Sequence, residues 1–363
     1  ITAILVLVCC TLLGFGQTAP VSERLAETAM NRIWVDQRNA PGIPPKWNYE
    51  QGVILKAIEQ MWYATGDAKY FRHIQKGMDY WIDEKGGHKD YDLDEYNIDH
   101  VTPGTAMLML YRVTGNEKYR KMADLFRSQL RTHPRTNEGG FWHKKIYPYQ
   151  MWLDGLYMGQ PFYAEYSQVF GEDNWNDIAN QFVWMEKHAR DPKTGLLYHG
   201  WDESRQQKWA DKSTGRSPHF WGRAMGWYAM GLIDVLEFFP KDHPTAGFLA
   251  TLATFATGFV VRPFGAIVFG RIGDLVGRKY TFLLTLLIMG GSTFAIGLLP
   301  SFEQVGILAP ILLVSLRLLQ GLALGGEGAR VGHRDAAARH EPERAVLGTQ
   351  RVAVAELVGE FGR

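Results

Sequence analysis

The chain has 363 residues, enough for one large domain or two smaller ones. Its 39 basic and 38 acidic side chains leave a net charge of +1, which argues against the broad basic field of a nucleic-acid partner or an anionic membrane surface. The two cysteines are Cys9 and Cys10, so beyond them there is neither a disulfide nor a thiolate metal site.

Residues 1–16, "ITAILVLVCCTLLGFG", are an uncharged apolar run followed by "QTAP". The run is short for a membrane span and reads as the h-region of a secretory signal over 1–18, without its basic start. That expectation makes the next segment periplasmic or secreted.

From 19 to 244 the sequence is aromatic-rich and holds all 12 tryptophans. An internal repeat stands out: "ATGDAKYF" at 64–71 recurs as "VTGNEKYR" at 113–120, and "FGEDNW" at 170–175 is a looser copy. Gly66 and Gly115 suit the left-handed residue that ends a helix, while Asp67 and Asn116 suit the N-cap of the next one. Apolar residues recur at helical spacing on both sides of the first turn: Val53, Ile54, Ala57, Ile58, Met61 and Trp62 before it, then Phe71, Ile74, Met78 and Trp81. The pattern predicts helices near 21–35, 48–64, 68–83, 103–113, 117–132, 151–169, 173–188 and 221–238. Successive antiparallel hairpins of this kind predict an all-α fold, an α/α toroid or barrel.

The short turns fall at one end of these hairpins. The long connections fall at the other, and they carry the polar and aromatic residues, which places a site there. They supply Asp99, His100, Trp142, His143, Trp152, Asp154, His199, Trp201, Asp202, Trp221, Arg223 and Trp227. Indole faces beside carboxylates, imidazoles and a guanidinium suit a sugar, with Arg223 and the histidines suiting an acidic one. Asp154 lies in "YPYQMWLDGLYM", where an unpaired carboxylate among apolar side chains is costly. Each residue also has a structural reading. Asp154 could be an N-cap or the partner of an arginine, and Asp99 could cap the next helix. Trp221 and Trp227 could be core, and His199 a satisfied structural histidine. The histidines lack HExxH or close paired spacing, and the acidic "DYDLDE" lacks the glycine and terminal glutamate of a calcium loop, so no metal is expected.

Longer motifs narrow these alternatives. "WNYEQGVILKAIEQMW", "EYNIDHVTPGTAMLMLY", "HPRTNEGGFWHKKIYPYQMWLDGLYMGQPFYAEY", "TGLLYHGWDES" and "SPHFWGRAMGWYAMGLIDVLEFFPKDHP" closely resemble the unsaturated rhamnogalacturonyl hydrolases, glycoside hydrolase family 105, over about 21–244. The resemblance implies an (α/α)6 barrel, here truncated, and no cofactor. The implied substrate is an unsaturated galacturonyl-rhamnose oligosaccharide from pectin lyase digestion. Its C4=C5 bond is hydrated and the adjacent sugar is released. Asp154 matches the family's catalytic aspartate and Asp99 the second carboxylate. His143, Trp152, His199, Trp221, Arg223 and Trp227 match residues that line the pocket. A sugar-binding remnant without turnover is the alternative expectation.

From 245 to 327 tryptophan is absent and long apolar runs appear: 248–269, broken by Arg262-Pro263, the uncharged 281–300, and 305–324, carrying Arg317. About three transmembrane-type helices are expected there. "RPFGAIVFG", "GRIGDLVGRK" (270–279) and "LRLLQGLALGGE" resemble the metabolite:proton symporter branch of the major facilitator transporters over about 246–327, with Asp274 and Arg278 as gating-loop residues. Membrane contact, and a transporter-fragment reading, come only through this segment. Residues 328–363, rich in Ala, Arg and Gly, resemble no family and read as an out-of-frame or disordered tail, so the chain reads as a chimera.

Overall fold

The computed structural model describes residues 20–33, 46–83, 86–300, 302–306, 308–309 and 311–323. The expected signal segment 1–18 and the tail 328–363 lie outside the described residues. Two compact units divide the chain, one up to Leu249 and one from Ala250.

The first unit contains α1 (Val21–Thr28), α2 (Tyr49–Thr65), α3 (Ala68–Trp81), α4 (Gly104–Thr114), α5 (Glu117–Thr132), α6 (Leu153–Phe170), α7 (Trp175–Ala189) and α8 (Gly222–Phe238). Local chemistry sets their ends. The Asn48 side chain accepts from the N–H groups of Glu50 and Gln51, Asp67 from Lys69 and Asn116 from Lys118. Gly66, Gly115 and Gly171 take the left-handed conformation at φ 69°, 66° and 68°, which costs a glycine nothing. The repeat seen in the sequence is therefore a repeat of hairpin turns. The first predicted helix, 21–35, changes character part-way: after α1 the backbone widens into a π turn, Ala29–Ile33, and 34–35 lie outside the described residues.

Burial sorts the helices into two layers. All of Gly104 to Leu110 in α4 is buried, and α6 is buried almost throughout from Leu153 to Ser167. In α3, α5 and α7 the buried positions recur on one face, the mark of an outer helix. Hairpin partners α2 with α3, α4 with α5 and α6 with α7 pack together, and the inner helices neighbour one another in the order α2, α4, α6, α8. Between the layers Trp47 meets Trp81, His88 and Phe126 at ring-centroid distances of 5.7, 4.4 and 5.7 Å.

The long connections are joined by short antiparallel pairings that periodicity did not foretell. Strand β1 (Gln150–Trp152) pairs with β2 (Gly200–Asp202), Met151 opposite Trp201. Single bridges link Asn97 to Lys144 and Tyr198 to Phe220. Three residues are too few to show alternation in sequence.

Helix α9 (Ala246–Val276), most of it in the second unit, is one helix through Arg262-Pro263, where the sequence suggested a break. The motif at 270–279 is likewise no open loop: α9 continues through it and turns only at Gly277, at φ 98°, before α10 (Arg278–Gly297). After α11 (Phe302–Val305), Gly306 at φ 57° interrupts the run read as 305–324, leaving the apolar helix α12 (Ile311–Ala323). Among the described residues one helix, Lys279–Gly297 with mean hydropathy 1.6, is long and apolar enough to cross a membrane, where three had been expected.

Candidate active site

Asp99 sits in the 3₁₀ turn Ile98–Val101, whose first N–H groups are capped by Asn97: Asn97 Oδ1 accepts from Asp99 N at 3.1 Å. Residues 96–98 run antiparallel to 143–145, with Ile98 N donating to His143 O at 3.2 Å and Lys145 N to Tyr96 O at 3.1 Å. That pairing brings two side chains to Asp99. Lys144 Nζ lies 2.7 Å from Oδ2 and His143 Nε2 lies 3.4 Å from Oδ1. Asp99 is 8% exposed and does not cap the following helix; the N-cap of α4 is Pro103.

Asp154 is the second residue of α6. The strand pairing of β1 aims it, and Leu153 N donates to His199 O at 3.0 Å where strand becomes helix. The carboxyl is half-buried, and its Oδ2 has no hydrogen-bond partner. Burial raises its pKa above the ordinary aspartate value. A hydrogen bond from its own N–H, Arg223 and His199 pull the other way, while the charge of Asp99 adds to the rise. It is therefore neither an N-cap nor half of a close ion pair. It is a carboxyl kept nearer its protonated form than a surface aspartate.

Aromatic rings form the walls. Trp152 lies between His143, at 4.6 Å and 9°, and Tyr147, at 5.2 Å and 12°. Burial pushes the His143 imidazole down to about 4, so the ring is neutral, with Nε2 facing Asp99. His199 Nδ1 lies 2.9 Å from His219 O and 3.1 Å from Ser217 Oγ, which orients the ring. Trp221 meets His199 edge-on at 5.9 Å and is 39% exposed, and the Arg223 guanidinium stacks over it at 4.0 Å. Neither Trp221 nor His199 is core. Trp227 is half-buried against Tyr157 at 5.0 Å and Tyr49 at 6.2 Å.

The eight residues singled out from the sequence thus gather at one end of the inner helices. Three others there were missed. Tyr49 opens α2, and its phenol pKa is raised by burial and by Glu50, Asp99 and Asp154, against Arg223. Lys144 and Tyr147 come with the loop. The signal for Tyr49 was an aromatic in the first turn of an inner helix, at the same end as Asp154. Other loop candidates serve the scaffold: Trp201 donates to Thr214 O and stacks on His188 at 3.8 Å, and buried Asp202 accepts from Ser204 and Gln207. Among the described residues no three His, Cys, Asp or Glu side chains group as metal ligands.

The family model described as Glycosyl Hydrolase Family 88 matches residues 21–257. A solved glycoside hydrolase from family 105 of C. acetobutylicum ATCC 824 is 44% identical, with TM-score 0.61, over 65% of this chain and 65% of that one. The inner membrane metabolite transport protein YhjE of Escherichia coli K12 is 58% identical over 102 residues, 28% of this chain and 23% of its own length. The shikimate transporter of the same organism is 47% identical over 115 residues, 30% of this chain and 26% of its own. The chain thus spans about two thirds of the solved hydrolase and about a quarter of the transporters, in line with a hydrolase joined to a transporter fragment. With the model matched over more than half its length and a helical-hairpin unit carrying the carboxylate site, the chain belongs to glycosyl hydrolase family 88.

Proposed function

We propose that the first unit acts on oligosaccharides ending in a 4,5-unsaturated galacturonyl residue joined to rhamnose, and hydrates the C4=C5 bond. The observation that carries this is Asp154: a half-buried carboxyl with a raised pKa, one oxygen unpartnered, beside a second carboxylate and exposed indole. A vinyl ether accepts a proton at the carbon remote from its ring oxygen, so Asp154 delivers its proton to C4 while water oxygen bonds to C5. The Asp154 carboxylate then takes a proton from that water and is restored. The C5 hemiketal opens as the ring oxygen leaves C5, giving a ketone. The hemiacetal now present at C1 collapses to an aldehyde and expels the next sugar, with one water consumed overall. The separation rule for the two carboxylates of ordinary glycosidases has no bearing on this route.

Asp99 supplies the fixed negative charge beside the acid. Trp221 and Trp227 offer faces for the sugar ring, and Arg223 with His199 offers donors for the uronate. The test is the loss of the ultraviolet absorbance of the unsaturated bond. Asp154→Asn should lower turnover by roughly a hundredfold to ten-thousandfold, the range for a general acid. Full activity in that variant overturns the assignment, and calorimetric binding without absorbance loss in the unsubstituted chain marks a binding protein instead.

A further inference from the structure

Asp99 is buried, and a buried carboxylate requires a compensating charge. His143 does not provide it. Its Nε2 lies 3.4 Å from one Asp99 oxygen, but burial holds the imidazole neutral, so it contributes no balancing charge. Among the described residues, the cation in ion-pair contact with Asp99 is Lys144, at 2.7 Å from the other oxygen. The lysine side chain is only 22% exposed. Its place is set by backbone: Asn97 and Lys144 face each other in an antiparallel bridge, and Asn97 also holds the amide of Asp99. One short pairing therefore fixes lysine and aspartate together.

We propose that Lys144 is a positioning residue for this site: its ammonium holds the Asp99 carboxylate where that carboxylate bears on Asp154, and balances the charge of the pair. The inference rests on the reading of Asp154 as the general acid. The titratable and charged groups facing the two carboxylates are Tyr49 on α2, His100, His143, Lys144, His199 and Arg223 on α8. Lys144 is joined to Asp99 by direct contact, and its loss leaves the pair of carboxylates one positive charge short. Asp154 then keeps its proton to higher pH, because ionising it places a second negative charge beside one no longer balanced.

The experiment uses the full chain, Lys144→Met and Lys144→Arg, with turnover of an unsaturated galacturonyl-rhamnose disaccharide followed against pH. Lys144→Met should move the alkaline limb of the rate profile up by about one pH unit or more and lower kcat, with KM changed less than about threefold. Lys144→Arg keeps the charge and should leave the limb within a few tenths of a unit. An unmoved limb in Lys144→Met overturns the proposal. So does a raised KM at unaltered kcat, which marks Lys144 as a substrate contact. A parallel titration of carboxyl-carbon-labelled aspartate by NMR reads Asp154 directly in each variant. If the unsubstituted chain turns nothing over, the functional reading fails by itself. The titration still decides the role of Lys144: an upward move of Asp154 in Lys144→Met supports it and no move refutes it. Lys144→Gln, polar but uncharged, should behave as Lys144→Met and replaces it if that variant does not fold.

Discussion

The imidazole of His143 lies flat on the indole of Trp152, with centroids 4.6 Å apart and planes inclined by 9°. Tyr147 closes the other face of the indole, so the histidine is screened from water by a two-ring stack while its Nε2 faces Asp99. The same burial that keeps it neutral makes it sensitive to acid.

His143 is held at about 4, below the value of roughly 6.5 for an unfolded histidine. Between these pH values the unfolded chain binds more protons than the native one. The stabilisation from the neutral ring is thus full above about 6.5 and is lost as pH falls toward 4. His133 and His88, also pushed down to about 4 by burial, act with the same sign. His143→Gln should therefore show a shallower fall in melting temperature between pH 6.5 and 4 than the unsubstituted chain. An equal slope in the two would show that the ring is not held neutral.

Gly155 follows Asp154 in the first turn of α6. A Cβ added there would stand 2.9 Å from His143 Nδ1 and 3.6 Å from Ile98 Cγ2. The imidazole cannot retreat, because Trp152 is stacked on it. Gly155→Ala gains helix propensity of about 1 kcal/mol and costs overpacking of about 1–3 kcal/mol, so a net loss of about 0–2 kcal/mol is expected in urea unfolding. Turnover should fall with it, since the displaced ring is the one touching Asp99. A variant more stable than the parent contradicts this packing.

Deeper between the inner helices, a narrow space with room for about one water molecule is lined by Gly52, Lys56, Thr105, Tyr157, Pro161 and Asp234 among others. Lys56 pairs with Glu59 at 3.2 Å, and Glu165 with Arg112 at 3.1 Å. Burial outweighs these partners and raises Glu165 to about 7 and Asp234 to about 6. Here the native state binds more protons than the unfolded one. The contribution is full below about 4.3 and is lost as pH rises through 7. Glu165→Gln cannot ionise, so it should lose less stability than the parent between pH 5 and pH 8, by an amount on the order of 2 kcal/mol. Parallel stability curves for parent and variant would refute the raised carboxyl.

Arg223 holds its guanidinium over Trp221 at 4.0 Å, on the exposed side of the site. A flat cation on an indole presents a fork of N–H donors that lysine cannot reproduce. Arg223→Lys and Arg223→Ala should each raise KM for a uronate-ended disaccharide about tenfold, the cost of about 1.4 kcal/mol of charge-assisted hydrogen bonding. Kinetics on the same sugar with its carboxylate esterified give the control. Equal KM changes on both substrates would remove the carboxylate contact from Arg223.

The helices of the first unit could be read almost residue by residue, because their ends rest on local chemistry. Asn48, Gly66, Asp67, Gly115 and Asn116 act within a few bonds of where they stand. The membrane-type segment was less readable. Hydropathy counts apolar residues, but Gly306 and the unbroken course of α9 decide how those residues divide into helices. Lys144 carried no signal at all, since its role arises from a single bridge to Asn97, far away in sequence.

By itself, then, the sequence determined the hairpin repeat, the end of those hairpins that holds the candidate site, and the carboxylates and rings gathered there. Only the tertiary structure decided which carboxyl is clamped and which keeps one oxygen unpartnered. Asp99, in a 3₁₀ turn, and Asp154, in the first turn of α6, are the same residue type. What separates them is desolvation together with charges brought from distant segments, Lys144 against one and Asp99 against the other, and such forces depend on distance in space rather than on order along the chain.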